Sequence, residues 1–396
     1  MLLYIHIPFC ISKCAYCDFF SRPVKNLRAD KPVPESYVNA LCNEISFRLN
    51  YHKVQKLETV YIGGGTPSIL SGEQFKKLFS AIKKSGVLSK TAEITVEVNP
   101  DDVSEQLLEC LNECGVNRIS CGIQSMNDSA LKKACRRADS AANERALFLL
   151  RDLWQGEVSV DLISALPCDD EKALMSSLEK VCSVNPDHIS FYSLTFEDNT
   201  PFGKQLNSGV LDYDFDEADK LWLSGRDFLE AHGYEWYEVS NFCKEGKECR
   251  HNLGYWNHEN YIGCGSGATG TIYNKDGSAF RWTDSVNIQE YIDFWSTLPD
   301  VYDLIPQTGE TVDVLTSEFE FFMMGLRKTC GISDADYFRA FGKALPESFL
   351  SVFEKWESKG LCRRKNITNK NGEIECFYSM SRSGMLFLNR FLEELC

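Results

Sequence analysis

Residues 5–19 read IHIPFCISKCAYCDF, so an apolar, β-branched run over 2–8 feeds directly into Cys10, Cys14 and Cys17. A C-x3-C-x2-C spacing on one short loop lets three thiolates close around an iron-sulfur cube and leaves its fourth iron without a protein ligand, where a small molecule can chelate. Zinc would want a fourth Cys or His nearby, and Cys14 with Cys17 alone reads as a redox C-x-x-C; both readings stay open on these residues by themselves. His6 points by alternation away from a fourth ligand position. Tyr16 and Phe19 supply an apolar shield.

Working outward, strand patterns at 2–8, 59–63, 93–98, 118–124, 157–163 and 188–194 alternate with amphipathic helical stretches. Phe75, Leu78, Phe79 and Ile82 mark one such helix, and Leu107, Leu108, Leu111 and Cys114 another. Gly86 and Gly115 stand just past them, where C-terminal glycines belong. Six strand-helix units predict an α/β fold with a parallel sheet; a partial (β/α)6 TIM-like barrel and a doubly wound sheet are both open from pattern alone. Either way the reactive site lies at the C-terminal ends of the strands.

Three regions follow: 1–240 as the (β/α) domain, 241–310 as a connecting region containing NLGYWNHENYIGCGSGATG (252–270), and 311–396 as a smaller α+β C-terminal domain. The last region shows helical patterns at 314–329, 333–341 and 346–359, a hairpin turning through Asn371-Gly372, and a final helix from 383; helices plus a hairpin resemble a winged helix.

With 42 Lys and Arg against 57 Asp and Glu, the net charge is −15, and no basic run offers a nucleic-acid surface. No stretch approaches the ~20 apolar residues of a membrane span, and MLLYIHIPFC lacks the basic start and small-residue cleavage site of a signal peptide. The 17 cysteines are odd in number and scattered, which fits a reducing compartment and predicts a cytoplasmic protein.

A second motif, Gly63-Gly64-Gly65-Thr66-Pro67, directly follows the strand pattern TVYI. Three successive glycines let a ligand approach the backbone, although alone they read as a tight turn. Taken together, IHIPFCISKCAYCDF and YIGGGTPS resemble the cluster loop and glycine motif of the radical S-adenosylmethionine (SAM) superfamily. VEVNPDD (96–102), RISCGIQSMND (118–128), SVDLISALP (159–167), HISFYSLTFEDNTPF (188–202), WYEVSNF (236–242), CRHNLGYW (249–256) and EFFMMGLRKTCGIS (320–333) extend the resemblance over nearly the whole chain, to the oxygen-independent coproporphyrinogen III oxidase-like proteins. Within that branch the true oxidase carries a fourth cysteine where this chain has Phe19, and His251-Asn252-Leu253-Gly254-Tyr255-Trp256 matches the H-N-x-x-Y-W motif of HemW-type haem chaperones.

The resemblance implies a radical SAM barrel, a 4Fe-4S cluster on Cys10, Cys14 and Cys17, bound SAM, and haem that is delivered to an acceptor protein. It implies SAM contacts from Tyr4, Gly64, Gly65, Thr66, Glu97, Gln124, Arg136 and Asp161, and haem contacts from His251, Asn252, Tyr255 and Trp256, with Cys249 as a rival iron ligand. It further implies an electron donor such as a flavodoxin or ferredoxin, is compatible with a homodimer, and allows a location peripheral to the membrane, where haem acceptors often sit. A radical SAM oxidoreductase acting on a tetrapyrrole is the alternative, and a degenerate member with neither activity a third reading. Two histidines common in relatives are absent, at Ala138 and Thr269.

Overall fold

A computed structural model describes residues 1–24, 32–297, 309–368, 372 and 374–395. Six strands run parallel in sequence order: β1 (Leu2–Ile7), β2 (Leu57–Gly64), β3 (Leu88–Val98), β4 (Arg118–Gln124), β5 (Glu157–Ser164) and β6 (His188–Ser193). Helices Glu35–Tyr51, Gly72–Lys84, Glu105–Cys114, Ser140–Leu153 and Glu171–Ser183 lie between them. A doubly wound sheet reverses its strand order at a switch point; this one does not, which selects the partial (β/α)6 barrel.

Local signals start and stop these helices. Ser71 and Gln74 form a reciprocal capping box, Ser104, Asp139 and Asp170 cap the next three, and Gly115 ends Glu105–Cys114 with φ +86°. Each cap contributes about 1 kcal/mol. One face of every strand is apolar and packs under the helices: Leu3, Ile5, Ile62, Val96, Ile119 and Val160 are all fully buried. Burying one such side chain contributes about 2 kcal/mol. The other face carries Tyr61, Glu97, Ser120, Asp161 and Tyr192, so alternation along the strands leaves a polar interior.

The stretch read as a connecting region supplies further strands of the same sheet. Tyr261–Cys264 pairs in parallel with β1, Leu2 opposite Tyr261, and Thr269–Tyr273, Ala279–Thr283 and Gly309–Val312 continue antiparallel from it. Asn241–Cys243 and Glu235–Glu238 extend the opposite edge beyond β6. The sequence around 261–264 gives little warning, because four residues containing Gly and Cys make no β-branched run.

Beyond residue 313 a second apolar core gathers Phe322, Tyr337, Phe349, Phe353, Trp356 and Phe391. Helices Val314–Gly325, Asp334–Phe341 and Glu347–Glu357 and the hairpin Cys362–Thr368/Ile374–Met380 build it. Gly372 has φ +83°, while Asn371 of the expected turn lies outside the described residues. The final helical stretch is a 3-10 turn, Gly384–Phe387, followed by Leu388–Glu393. Among the described residues no helix is long and apolar enough to cross a membrane.

Candidate cluster and cofactor site

At the C-terminal ends of the strands lies a cavity of about 590 Å³ whose wall includes Cys10, Cys14 and Cys17 together with Gly64, Gly65, Thr66, Glu97, Gln124, Arg136 and Asp161. Residues spread over more than 150 positions of sequence therefore meet in one place, as the strand-end argument anticipates.

The cysteine loop is fastened on every side. Arg22 N–H donates to Pro8 O (2.8 Å) and Val24 N–H to Cys10 O (2.8 Å), while Ala15 N–H reaches Ala134 O (2.9 Å) and Phe202 N–H reaches Ala15 O (2.9 Å). His6 Nε2 pairs with Phe20 O (2.8 Å), so His6 clasps the end of the loop and is no ligand. Thr66 Oγ1 contacts Cys10 Sγ and Arg136 Nη1 contacts Cys14 Sγ, both at 3.5 Å. Among the described residues no three His, Cys, Asp or Glu side chains gather tightly enough to hold one ion.

The glycines are dictated by packing. A Cβ on Gly65 would lie 2.6 Å from Phe9 O and 2.9 Å from Ile7 O, so this turn lies flat against the backbone that leads into Cys10. Gly64, at φ +109°, lies over the His6 ring, where a Cβ would stand 2.6 Å from it.

Two carboxylates face the cavity interior. Tyr61 donates its hydroxyl to Glu97 Oε1 (2.9 Å) and Gly64 N–H donates to Oε2 (3.2 Å). Burial, helped by the nearby Asp161, pushes Glu97 up to about 7. Asp161 accepts Ser120 Oγ at 3.0 Å and is likewise raised by burial. Gln124 ends β4 at φ +68°, beside a register shift, a strained conformation of the kind that clusters at functional sites. Arg136 donates to Gly122 O, and its buried Nε has no protein partner.

Tyr4, opposite Tyr61 across the β1–β2 pair, has its ring 6.3 Å from that of Tyr61, and its hydroxyl pairs with His6 Nδ1 at 2.9 Å. The structure departs from the expectation of an imidazole offered by His251. That residue is 1% exposed, with Nδ1 on Thr59 Oγ1 (2.7 Å) and Nε2 on the Tyr255 hydroxyl (3.1 Å). It lies in the first turn of the helix Arg250–Trp256, which enters the barrel from the opposite end to the cysteines. Asn252, Tyr255 and Trp256 are half-buried along that helix, with Arg327 over the Trp256 ring at 5.5 Å, and Cys249 is buried against Glu93. Sequence reasoning passed over Tyr61, Ser120 and Tyr192 as wall residues; their even spacing from Thr59, Arg118 and His188 on three strands is the signal that finds them.

A model of the Radical SAM superfamily matches residues 4–181. The chain is 36% identical over 402 residues to the heme chaperone HemW of Bacillus subtilis (strain 168), covering 99% of both, and 33% identical to that of Escherichia coli (strain K12), covering 99% of this chain and 97% of the relative. The chain belongs to the HemW family of radical SAM proteins. Its fold matches that of Escherichia coli coproporphyrinogen III oxidase HemN, a radical SAM enzyme, with a TM-score of 0.76 over 100% of this chain and 89% of that one, at 19% identity. Membership in the HemW family implies a 4Fe-4S cluster and SAM. The residues present fit them: three thiols on one wall, a glycine turn pressed against their loop, two half-buried carboxylates, and a buried guanidinium nitrogen without a protein partner.

Proposed function

We propose that this protein is a haem chaperone that holds a 4Fe-4S cluster and SAM in its barrel, binds haem and passes it to an acceptor protein. The observation that carries the reading is the end-to-end likeness to relatives bearing that function in their names, with Phe19 in place of the oxidase's fourth cysteine.

In this reading Cys10, Cys14 and Cys17 hold the cluster, and Gly64, Gly65 and Thr66 line the bed for the amino-acid end of SAM. Glu97 takes hydrogen bonds from the ribose hydroxyls, and Gln124, Arg136 and Asp161 complete the wall; Tyr4, its ring next to Tyr61, stands beside the methionine moiety. When bound, the cluster and SAM supply one-electron chemistry, and the enclosing wall excludes water. Haem contact by His251, Asn252, Tyr255 and Trp256 has a structural condition: for His251 to ligate iron, either the Thr59 or the Tyr255 hydrogen bond must part first. The reading includes a flavodoxin- or ferredoxin-like electron donor, a homodimer, and a cytoplasmic location peripheral to the membrane. The three sequence regions would divide the work, with 1–240 for cluster and SAM, 241–310 for the motif helix, and 311–396, winged-helix-like, for the acceptor.

A radical SAM oxidoreductase acting on a tetrapyrrole is the second reading, favoured by the complete cavity wall of Glu97, Gln124, Arg136 and Asp161. Anaerobic cluster reconstitution followed by haem titration separates the two. A stoichiometric Soret change without porphyrinogen turnover supports the chaperone; turnover with SAM and no haem binding replaces it with the oxidoreductase.

A further inference from the structure

We propose that the helix Arg250–Trp256 forms the floor beneath the cofactor cavity and that His251 is a positioning residue for SAM, acting through Tyr61 on Glu97. The inference rests on the SAM-binding part of the function proposed above.

Glu97 is held from three directions. Tyr61 O–H and Gly64 N–H each donate to one of its oxygens, at 2.9 and 3.2 Å, and Gly63 approaches so closely that a Cβ there would stand 2.9 Å from the carboxyl carbon. Of these contacts only Tyr61 is a mobile side chain, so its ring position decides where the carboxylate points. That ring is stacked with His251 (5.1 Å, 27°) and with Tyr4 (6.3 Å, 28°).

His251 is fixed in turn. Thr59 and Tyr255 hold its two nitrogens, and burial lowers it to about 3, so it packs as a neutral flat ring. The helix carrying it is pinned to the barrel: Glu93 accepts the N–H groups of Arg250 and His251, and Gly254 lies so close to Leu2 that a Cβ would approach its side chain to 2.5 Å. An imidazole with both edges engaged and one face under Tyr61 suits support of that ring. Binding iron would require it to surrender one of those hydrogen bonds.

Full-length protein, anaerobically reconstituted, provides the test: wild type, His251→Ala, His251→Gln and Tyr61→Phe are titrated with SAM by calorimetry and with haem by absorbance. Electron paramagnetic resonance of the reduced cluster is recorded with and without SAM. The expected result is an unchanged cluster signal in the absence of SAM, with a SAM Kd raised about tenfold in His251→Ala and Tyr61→Phe, the scale of one lost buried hydrogen bond. His251→Gln, which retains hydrogen-bonding edges, recovers part of the loss. SAM binding at wild-type strength in both His251→Ala and Tyr61→Phe overturns the inference, as does loss of haem binding with SAM binding intact. Should His251→Ala fail to fold, Tyr61→Phe and His251→Gln decide. Failure of wild type itself to bind SAM would instead overturn the underlying cofactor reading.

Discussion

Glu93 accepts the backbone N–H of His251 at 2.9 Å, and its second oxygen takes Arg250 N–H at 3.0 Å, so a side chain of β3 caps a helix 157 residues further along the chain. The helix has no cap of its own, since the Cys249 side chain at its N-cap accepts no bond from the helix N–H groups. Glu93 also stands 3.8 Å from the buried Arg118. Glu93→Ala removes both roles and is expected to cost about 3 kcal/mol, with faster amide hydrogen exchange concentrated at 250–256. Uniform protection across that helix in the variant would contradict the cap.

Glu97 carries a pH dependence whose sign is fixed. Its folded-state value, about 7, lies above the ordinary carboxyl value of 4.5. Ionisation is therefore disfavoured in the fold, and wild type loses stability as pH climbs from about 4.5 to 7, after which the loss is constant. Glu97→Gln escapes this loss, so its stability relative to wild type should rise across that window by on the order of 2 kcal/mol, the open cavity screening part of the effect. Paired urea titrations of the metal-free proteins at pH 5 and pH 7.5 measure the difference; a variant whose stability falls relative to wild type as pH rises would refute it.

Gly65→Ala and Gly86→Ala separate two demands on glycine. At Gly65 the new Cβ would meet backbone oxygens at 2.6 and 2.9 Å, which no rotamer change relieves; at Gly86, φ +71°, nothing lies within 4 Å. The second substitution should cost about 1 kcal/mol through its left-handed backbone and leave cluster content intact. The first should displace the loop before Cys10 and reduce iron and sulfide incorporation several-fold. Equal incorporation by both variants would show that the turn does not hold the loop.

Cys10, Cys14 and Cys17→Ala in combination should abolish the iron-sulfur absorbance while preserving circular dichroism, because the loop is tied down by backbone bonds at Ala15, Arg22 and Val24 that the thiols do not make. Iron retained by the triple variant would place the cluster elsewhere.

The six parallel strands were legible because each is an apolar run bounded by a turn or a cap, and the cysteine and glycine motifs were legible because both directly follow such runs. The position of His251 was not. Residues 250–256 include His, Asn and Gly, poor helix formers that read as a packed turn, and the carboxylate that makes them helical comes from β3. The contact between the Tyr4 and Tyr61 rings was not legible either, since alternation reports the face of a strand and not which neighbour across the sheet its side chain meets.

The pairing of β1 with Tyr261–Cys264 has a consequence for biosynthesis. A ribosome releases the first strand some 250 residues before its second neighbour exists, so throughout that interval Leu2–Ile7 has one bare edge, with the cysteine loop hanging from its end. Gly265 and Gly267, which close over His6 O and Phe20, arrive with the same late segment. The cysteine loop, among the earliest segments to be synthesised, thus gains its last packing partners only when the chain has been made as far as Gly267.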